Sequence, residues 1–188
     1  MPKVGVVCIQ GDFEKHLDAL RRCGVAETVQ VRTPEDLKKV GRIILPGGES
    51  TTVGMLMERY GLGEAIQNAA AQGMPIWGTC MGMILMAHDV AGRENQYTLD
   101  LLDISVERNA FGAQVPSFED EVHLNGMNEP VLGVFIRAPI VTRLGDGVEE
   151  IGRYNDKVVA VRKNHLLGTS FHPELTDDIR LHRWFLEL

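Results

Sequence analysis

From Val4 to Met86 the chain repeats one pattern four times: an apolar run, a break of glycine, proline or polar residues, then a helical spacing of apolar residues. Val4 to Ile9 is the first apolar run, of the kind a strand shows when both its faces are covered. Gln10-Gly11-Asp12 breaks it, Phe13, Leu17 and Leu20 recur at helical spacing, and Gly24 stops the helix. Thr28 to Val31 is the second strand, and Thr33 with Pro34 and two acids starts the next helix. Arg42 to Leu45 is the third strand, followed by a glycine-containing turn and a helix from about Val53 to Tyr60. Gly63 to Gln72 reads as a further helix ended by Gly73, and the fourth strand and helix follow from Pro75. Alternation of this kind predicts an α/β fold: a mainly parallel central sheet with helices on both faces. Such sheets place their active sites at the C-terminal ends of their strands.

The fourth repeat is Pro75-Ile76-Trp77-Gly78-Thr79-Cys80-Met81-Gly82-Met83. Gly78 and Gly82 stand two residues either side of Cys80, the spacing of a nucleophile elbow with cysteine in place of serine. A nucleophile on a sharp strand-to-helix turn occupies strained backbone, and side chains at the flanking positions would collide as strand and helix approach. The turn also sets the thiol at a helix N-terminus, where the dipole and free N–H groups favour thiolate. The N–H of Met81 becomes a candidate oxyanion donor. An ordinary buried cysteine at a strand end would show the same five residues, so other parts of the chain must decide.

Pro46-Gly47-Gly48-Glu49-Ser50-Thr51-Thr52 lies between a strand and a helix, which is a common anion-binding arrangement. A phosphate loop fits poorly: no lysine is present, and Glu49 would repel phosphate. A glycine pair with a free N–H suits an oxyanion hole better; the plain alternative is a turn in which Ser50 or Thr51 caps the helix. Near the C-terminus, Phe171-His172-Pro173-Glu174 puts an imidazole and a carboxylate on one side of an extended segment. The carboxylate would fix the tautomer of His172, and His172 could deprotonate a thiol and later protonate a leaving amine. Cys80, His172 and Glu174 thus form a candidate nucleophile, base and orienting acid. His16, His88, His123, His165 and His182 are expected to be structural, with His16 partly exposed on its helix.

After about Gly92 the rhythm changes. Short strand-like runs occur at Ile104 to Glu107, Glu121 to Leu124, Val131 to Arg137, Glu149 to Tyr154, Val158 to Arg162 and Gly168 to Phe171, before a helix over Asp177 to Leu188. They read as added, partly antiparallel strands that return to the main sheet. With 188 residues and no linker or repeat, one domain spanning 1–188 is expected. A net charge of −7 argues against general nucleic-acid or anionic-membrane binding, and no apolar run reaches membrane-spanning length. The N-terminus reads as a first strand rather than a secretion signal. Three cysteines with no C-x-x-C suggest neither a disulfide framework nor a zinc site, and fit a reducing cytoplasm.

Gly78-Thr79-Cys80-Met81-Gly82 together with Phe171-His172-Pro173-Glu174 resembles the class I, triad-type glutamine amidotransferases, whose fold is flavodoxin-like. More narrowly, the chain is similar to the glutaminase subunits of pyridoxal 5'-phosphate synthase. That match rests on Ile9-Gln10-Gly11 with His16, Leu45 to Thr52, Glu107 to Gly112, Ser117-Phe118-Glu119, Val134 to Pro139 and Ser170 to Thr176. The resemblance implies hydrolysis of L-glutamine to glutamate and ammonia through a thioester on Cys80. It also implies an oxyanion hole at Gly47, Gly48 and Met81, and glutamine held by Gly48, Glu49, Ser50, Arg108, Ile136 and Arg137, with no cofactor or metal. The chemistry agrees, since the α-amino group of glutamine needs an acid such as Glu49 and its α-carboxylate a cation such as Arg108 or Arg137. A partner is implied as well: a synthase subunit with a (β/α)₈ barrel, whose docking completes the oxyanion hole and is sensed by Gln10. Two positions depart from that pattern, Met81 where a smaller residue is usual and Ala113 where arginine is usual. The competing expectations are a glutaminase for another synthase, such as imidazole glycerol phosphate synthase, a cysteine peptidase on a similar sheet, and a regulatory module with a relic site.

Overall fold

The computed structural model describes residues 3–112 and 117–188; Ala113 lies outside the described residues. Strands β1 (Val4–Val7), β2 (Thr28–Val31), β3 (Arg42–Leu45) and β4 (Ile76–Thr79) alternate with helices. The helices are α1 (Phe13–Arg22), α2 (Pro34–Leu37), α3 (Ser50–Arg59), α4 (Leu62–Ala71) and α5 (Met81–Met86). There follow β5 (Ala87–Val90), β6 (Leu102–Glu107), β7 (Ser117–Val122), β8 (Val131–Ile136), β9 (Ile140–Leu144), β10 (Glu149–Tyr154), β11 (Lys157–Lys163) and β12 (Leu166–Thr169). A 3₁₀ turn (Pro173–Leu175) and α6 (Arg180–Leu186) complete the chain.

The main sheet runs β2-β1-β3-β4-β12-β11-β9-β6-β5, with β10 also paired to β11. The pairs from β2 to β12 are parallel, and β11 to either side of β12 and β9 is antiparallel. The α/β fold with added antiparallel strands is therefore as the pattern predicted. Side chains alternate between faces as a period of two requires. Val4, Val6 and Trp77 pack with Leu17 and Leu20 of α1 and Phe185 of α6, whereas Val7 and Ile76 pack with Met57 of α3 and Ile66 of α4. Both faces are thus covered, which is why these strands read as unbroken apolar runs.

Several boundaries differ from expectation, each for a local reason. α3 starts at Ser50, ahead of Val53, because Glu49 and not Ser50 or Thr51 is its cap. Helix α6 starts at Arg180 instead of Asp177, since the Asp178 carboxylate accepts from the Arg180 N–H and closes a turn ahead of it. β7 occupies Ser117–Val122, shifted from Glu121–Leu124 by its full pairing with β8; Leu124 keeps one isolated bridge to Gly152. β5 and β9 were not expected. Ala87-His88-Asp89-Val90 carries too few apolar residues to stand out, Ile140–Leu144 follows β8 after only three residues, and their pairings to β6 define them.

The β7-β8 hairpin joins the body through aromatic rings. Phe118 stacks on Phe135 at 4.6 Å, and Phe111, Tyr154 and Phe171 pack around them. This clamp sets the Ile136 carbonyl beside Cys80, at the end of β4. Among the described residues no helix is long and apolar enough to cross a membrane.

Candidate active site

β1, β3, β4 and β12 lie side by side and parallel, so the segments that leave them meet at one sheet edge. They deliver Gln10, Gly47-Gly48, Cys80 and His172 respectively.

Cys80 has φ 50° and ψ −107°, a conformation that costs a non-glycine residue on the order of 1–3 kcal/mol. Its neighbours hold it there. The Cys80 N–H donates to the Thr169 carbonyl at 2.7 Å, and its carbonyl accepts from Met83 and Ile84 in α5. A Cβ on Gly78 would stand 2.5 Å from the Gly82 carbonyl carbon, and one on Gly82 would run into the Leu45 carbonyl oxygen. Both glycines are therefore required by the close approach of β4, α5 and β3, as the elbow reading held.

The thiol is buried, with Sγ 3.8 Å from the Ile136 carbonyl, and it lies close enough to the His172 side chain to raise that ring's pKa. His172 Nδ1 lies 2.7 Å from Glu174 Oε1, which leaves its other ring nitrogen for the sulfur. Glu174 does not reach His172 through an extended segment, which is a correction. His172 precedes the 3₁₀ turn, and the turn swings the carboxylate back to the ring. The His172 N–H donates to the Val134 carbonyl at 2.8 Å, which fixes the base against β8. Burial pushes the His172 imidazolium down, but its hydrogen bonds to Cys80 and Glu174 and their charges outweigh burial and lift its pKa to about 10. Burial raises the Glu174 carboxyl against the pull of His172.

Gly47 faces this ring: a Cβ there would overlap His172 Cε1. At Gly48 a Cβ would come within 2.7 Å of Gln10 Oε1. Gln10 Oε1 accepts from the Glu49 N–H at 2.8 Å, and the Asp12 N–H donates to the Gly47 carbonyl at 3.3 Å. The loop after β1 therefore braces the glycine pair. Met81 opens α5, and its N–H is one of those a helix leaves without an intrahelical acceptor.

Glu49 accepts from Thr51 N–H at 3.0 Å and from Thr52 N–H and Oγ1, each at 2.8 Å. Partial burial opposes its charge, but these donors prevail and hold its pKa at about 2. Arg108 Nη2 stands 3.7 Å from Glu49 Oε1, and Arg108 Nη1 donates to Gln96 Oε1 at 3.4 Å. Ser50 is buried at the start of α3, Ile136 is half-buried beside Cys80, and Arg137 is exposed with φ 43°. Glu49 and Arg108 thus face each other at the start of α3, whereas Arg137 makes no ion pair among the described residues.

The structure also gathers residues that the motifs did not single out. Asp12 Oδ2 is 4.0 Å from His172 Nδ1, and Asp12, His172 and Glu174 bring potential ligand atoms within 4.8 Å of one another. Two of those atoms already face each other across the His172–Glu174 hydrogen bond. His16 is wholly buried, contrary to the expectation of partial exposure, and so is His182. The signal for His16 was present: Phe13, His16, Leu17 and Leu20 share one helical face.

Residues 6–188 match the SNO glutamine amidotransferase family. The chain is 50% identical to a protein of Thermus thermophilus named pyridoxal 5'-phosphate synthase subunit PdxT, over 98% of this chain and 96% of that one. It is 48% identical to a protein of the same name from Geobacillus kaustophilus, over 99% and 94% of the two chains. A solved structure titled as a glutamine amidotransferase superimposes with a TM-score of 0.94 at 47% identity, covering 98% of this chain and 97% of that one. With this agreement along its whole length, the chain belongs to the SNO glutamine amidotransferase family.

Proposed function

We propose that this chain is the glutaminase subunit of a pyridoxal 5'-phosphate synthase, a single domain acting in the cytoplasm. It hydrolyses L-glutamine to L-glutamate and delivers the ammonia to a synthase partner. The observation that carries the reading is Cys80, held at a strained turn, beside an imidazole whose Nδ1 is 2.7 Å from a buried carboxylate.

The chemistry follows from that line of groups. Cys80 sulfur, as thiolate, attacks the side-chain amide carbon of glutamine, and the amide oxygen takes up the negative charge. Met81 N–H and an N–H of Gly47-Gly48 are assigned to stabilise it. His172, protonated, gives its proton to the departing nitrogen; the C–N bond breaks and ammonia leaves a glutamyl thioester. The now neutral His172 takes a proton from water, hydroxide adds to the thioester, and the C–S bond breaks to release glutamate. Glu174 keeps the imidazole in one tautomer and stabilises its charge through the cycle. Glu49 is assigned to the α-amino group of glutamine, Arg108 or Arg137 to its α-carboxylate, and Gly48, Ser50 and Ile136 to the walls of its pocket.

Free ammonia is protonated in water, so a glutaminase that serves synthesis needs a sheltered route to its partner. We assign the partner as a synthase subunit built on a (β/α)₈ barrel, with Gln10 at the glycine pair as the residue that registers docking. Gln10 already contacts Glu49 and packs against Gly48, which is the support for that role. The test is glutamine hydrolysis by the purified chain with and without the synthase subunit, beside Cys80→Ala. Hydrolysis should appear with the partner and vanish in the variant. Equal rates with and without the partner would refute docking-dependent activation, and an active Cys80→Ala would refute the mechanism.

A further inference from the structure

Behind Glu174 lies a buried polar cluster that the mechanism above does not use. His16, on α1, places Nε2 3.2 Å from Thr79 Oγ1 and 3.4 Å from Glu174 Oε2. Its Nδ1 lies 3.0 Å from Nε2 of His182 on α6. Oε1 of Glu174 is occupied by His172, while Oε2 is fully enclosed and has no formed hydrogen bond. A buried carboxylate oxygen without a donor is expensive for a charged group, so whatever faces it matters to its charge.

The proton positions follow from the partners available. His182 Nδ1 is buried and has no partner. A proton there would be a buried donor with no acceptor, which is rarer in folded proteins than an unmet lone pair. The His182 proton therefore sits on Nε2 and is donated to His16 Nδ1. That leaves the His16 proton on Nε2, toward Glu174 and Thr79. Burial first, then the neighbouring His182 and His172, press the His16 pKa well below its ordinary value, so the ring holds one proton only.

We propose that His16 is a positioning residue for the reaction: its Nε2–H, backed by His182 and shared with Thr79, stands 3.4 Å from the second oxygen of Glu174, and its field keeps that carboxylate charged and aimed at His172. Removing the donor favours the protonated carboxyl, which no longer stabilises the His172 imidazolium. The charged pair of imidazolium and Cys80 thiolate then forms less readily. The titratable and charged groups facing this cluster are Asp12 and Arg22 at the two ends of α1, Cys80 at the elbow, His172 and Glu174 at the turn, and Asp178 and His182 around α6.

The inference rests on the glutaminase reading for its kinetic arm and on geometry alone for its second arm. Two polar variants separate the two ring nitrogens. His16→Gln can place an N–H near the site of Nε2, whereas His16→Asn reaches only the site of Nδ1 and keeps the tie to His182. In the complex with the synthase subunit, His16→Asn should lower kcat for glutamine hydrolysis by about ten-fold or more, with KM little changed, as expected for a lost hydrogen bond to a charged group. His16→Gln should recover most of that loss. Added to Glu174→Gln, His16→Asn should cause little further loss, since it acts through that carboxylate. In the second arm, Cys80 alkylation by iodoacetamide is followed against pH by peptide mass. Its midpoint should move to higher pH in His16→Asn and in Glu174→Gln, and stay near the wild-type value in His16→Gln. Equal impairment of Asn and Gln variants, full additivity with Glu174→Gln, or an unmoved midpoint in His16→Asn would each overturn the proposal. Should the wild-type complex hydrolyse no glutamine, the glutaminase reading fails, and the alkylation midpoints still decide the role of His16.

Discussion

Glu49 joins a structural duty to the assigned binding one. Its two carboxylate oxygens accept from the Thr51 and Thr52 N–H groups in the first turn of α3, and the same charge faces Arg108. A carboxylate so placed stays ionised throughout the neutral range, because its donors hold its pKa near 2. Glu49→Gln keeps the shape, leaves one amide oxygen to serve two N–H groups, and removes the charge. The cap should weaken by about 1 kcal/mol, read as a lower midpoint of denaturant unfolding. If the α-amino group of glutamine binds here, KM should rise about ten-fold or more while kcat changes less, since an ion-paired hydrogen bond contributes about 1.5–3 kcal/mol. An unchanged KM would place the amino group elsewhere. The sequence made Glu49 visible as an acid beside a glycine pair, but its plain-turn alternative offered Ser50 or Thr51 as the cap, not Glu49. Capping is a matter of backbone entry angle, and residue type alone ranks serine and threonine above glutamate.

At the scale of the element, the elbow depends on three backbones in contact: β4, α5 and β3. Gly82→Ala would drive a methyl group into the Leu45 carbonyl, which cannot move without disturbing the β3–β4 pairing. Loss of stability by about 1–3 kcal/mol or more is expected, with Cys80 chemistry lost in parallel. Equal unfolding midpoints for Gly82→Ala and wild type would show that strand and helix stand farther apart. The glycine spacing made this element legible, because the steric demand is local. Cys80, His172 and Glu174 were legible for the same reason: each sits in a short motif with its own chemistry. The role of His16 was not, although the residue stands among those that carry the family match, since that role depends on Glu174 and His182, 158 and 166 residues away in a chain of 188. Likewise β5 and β9 owe their form to pairing with β6, and no run of Ala-His-Asp-Val announces a strand on its own.

Across the whole molecule, the buried histidines tie α1 and α6 to the central sheet, and this gives stability a pH dependence of definite sign. His182 is held neutral: burial lowers its pKa first, Arg22 adds to this, and Asp178 opposes, giving about 4. In the unfolded chain the same ring titrates near 6.5, at about the ordinary value. Between those values the unfolded state binds the proton and the folded state does not, so stability rises with pH across the window. On acidification, His182 should contribute a loss of about 1.4 kcal/mol per pH unit below about 6.5, levelling near its folded value. His16, also lowered, acts in the same direction. Glu174, raised by burial, acts in the opposite one. Comparing wild type with His182→Gln by urea unfolding at several pH values between about 4 and 7 isolates the His182 part, because Glu174 is common to both. The variant should show the shallower fall in stability toward acid. Identical slopes would mean that the folded protein accommodates a charged His182, and then the proton order that directs the His16 N–H to Glu174 would have to be redrawn.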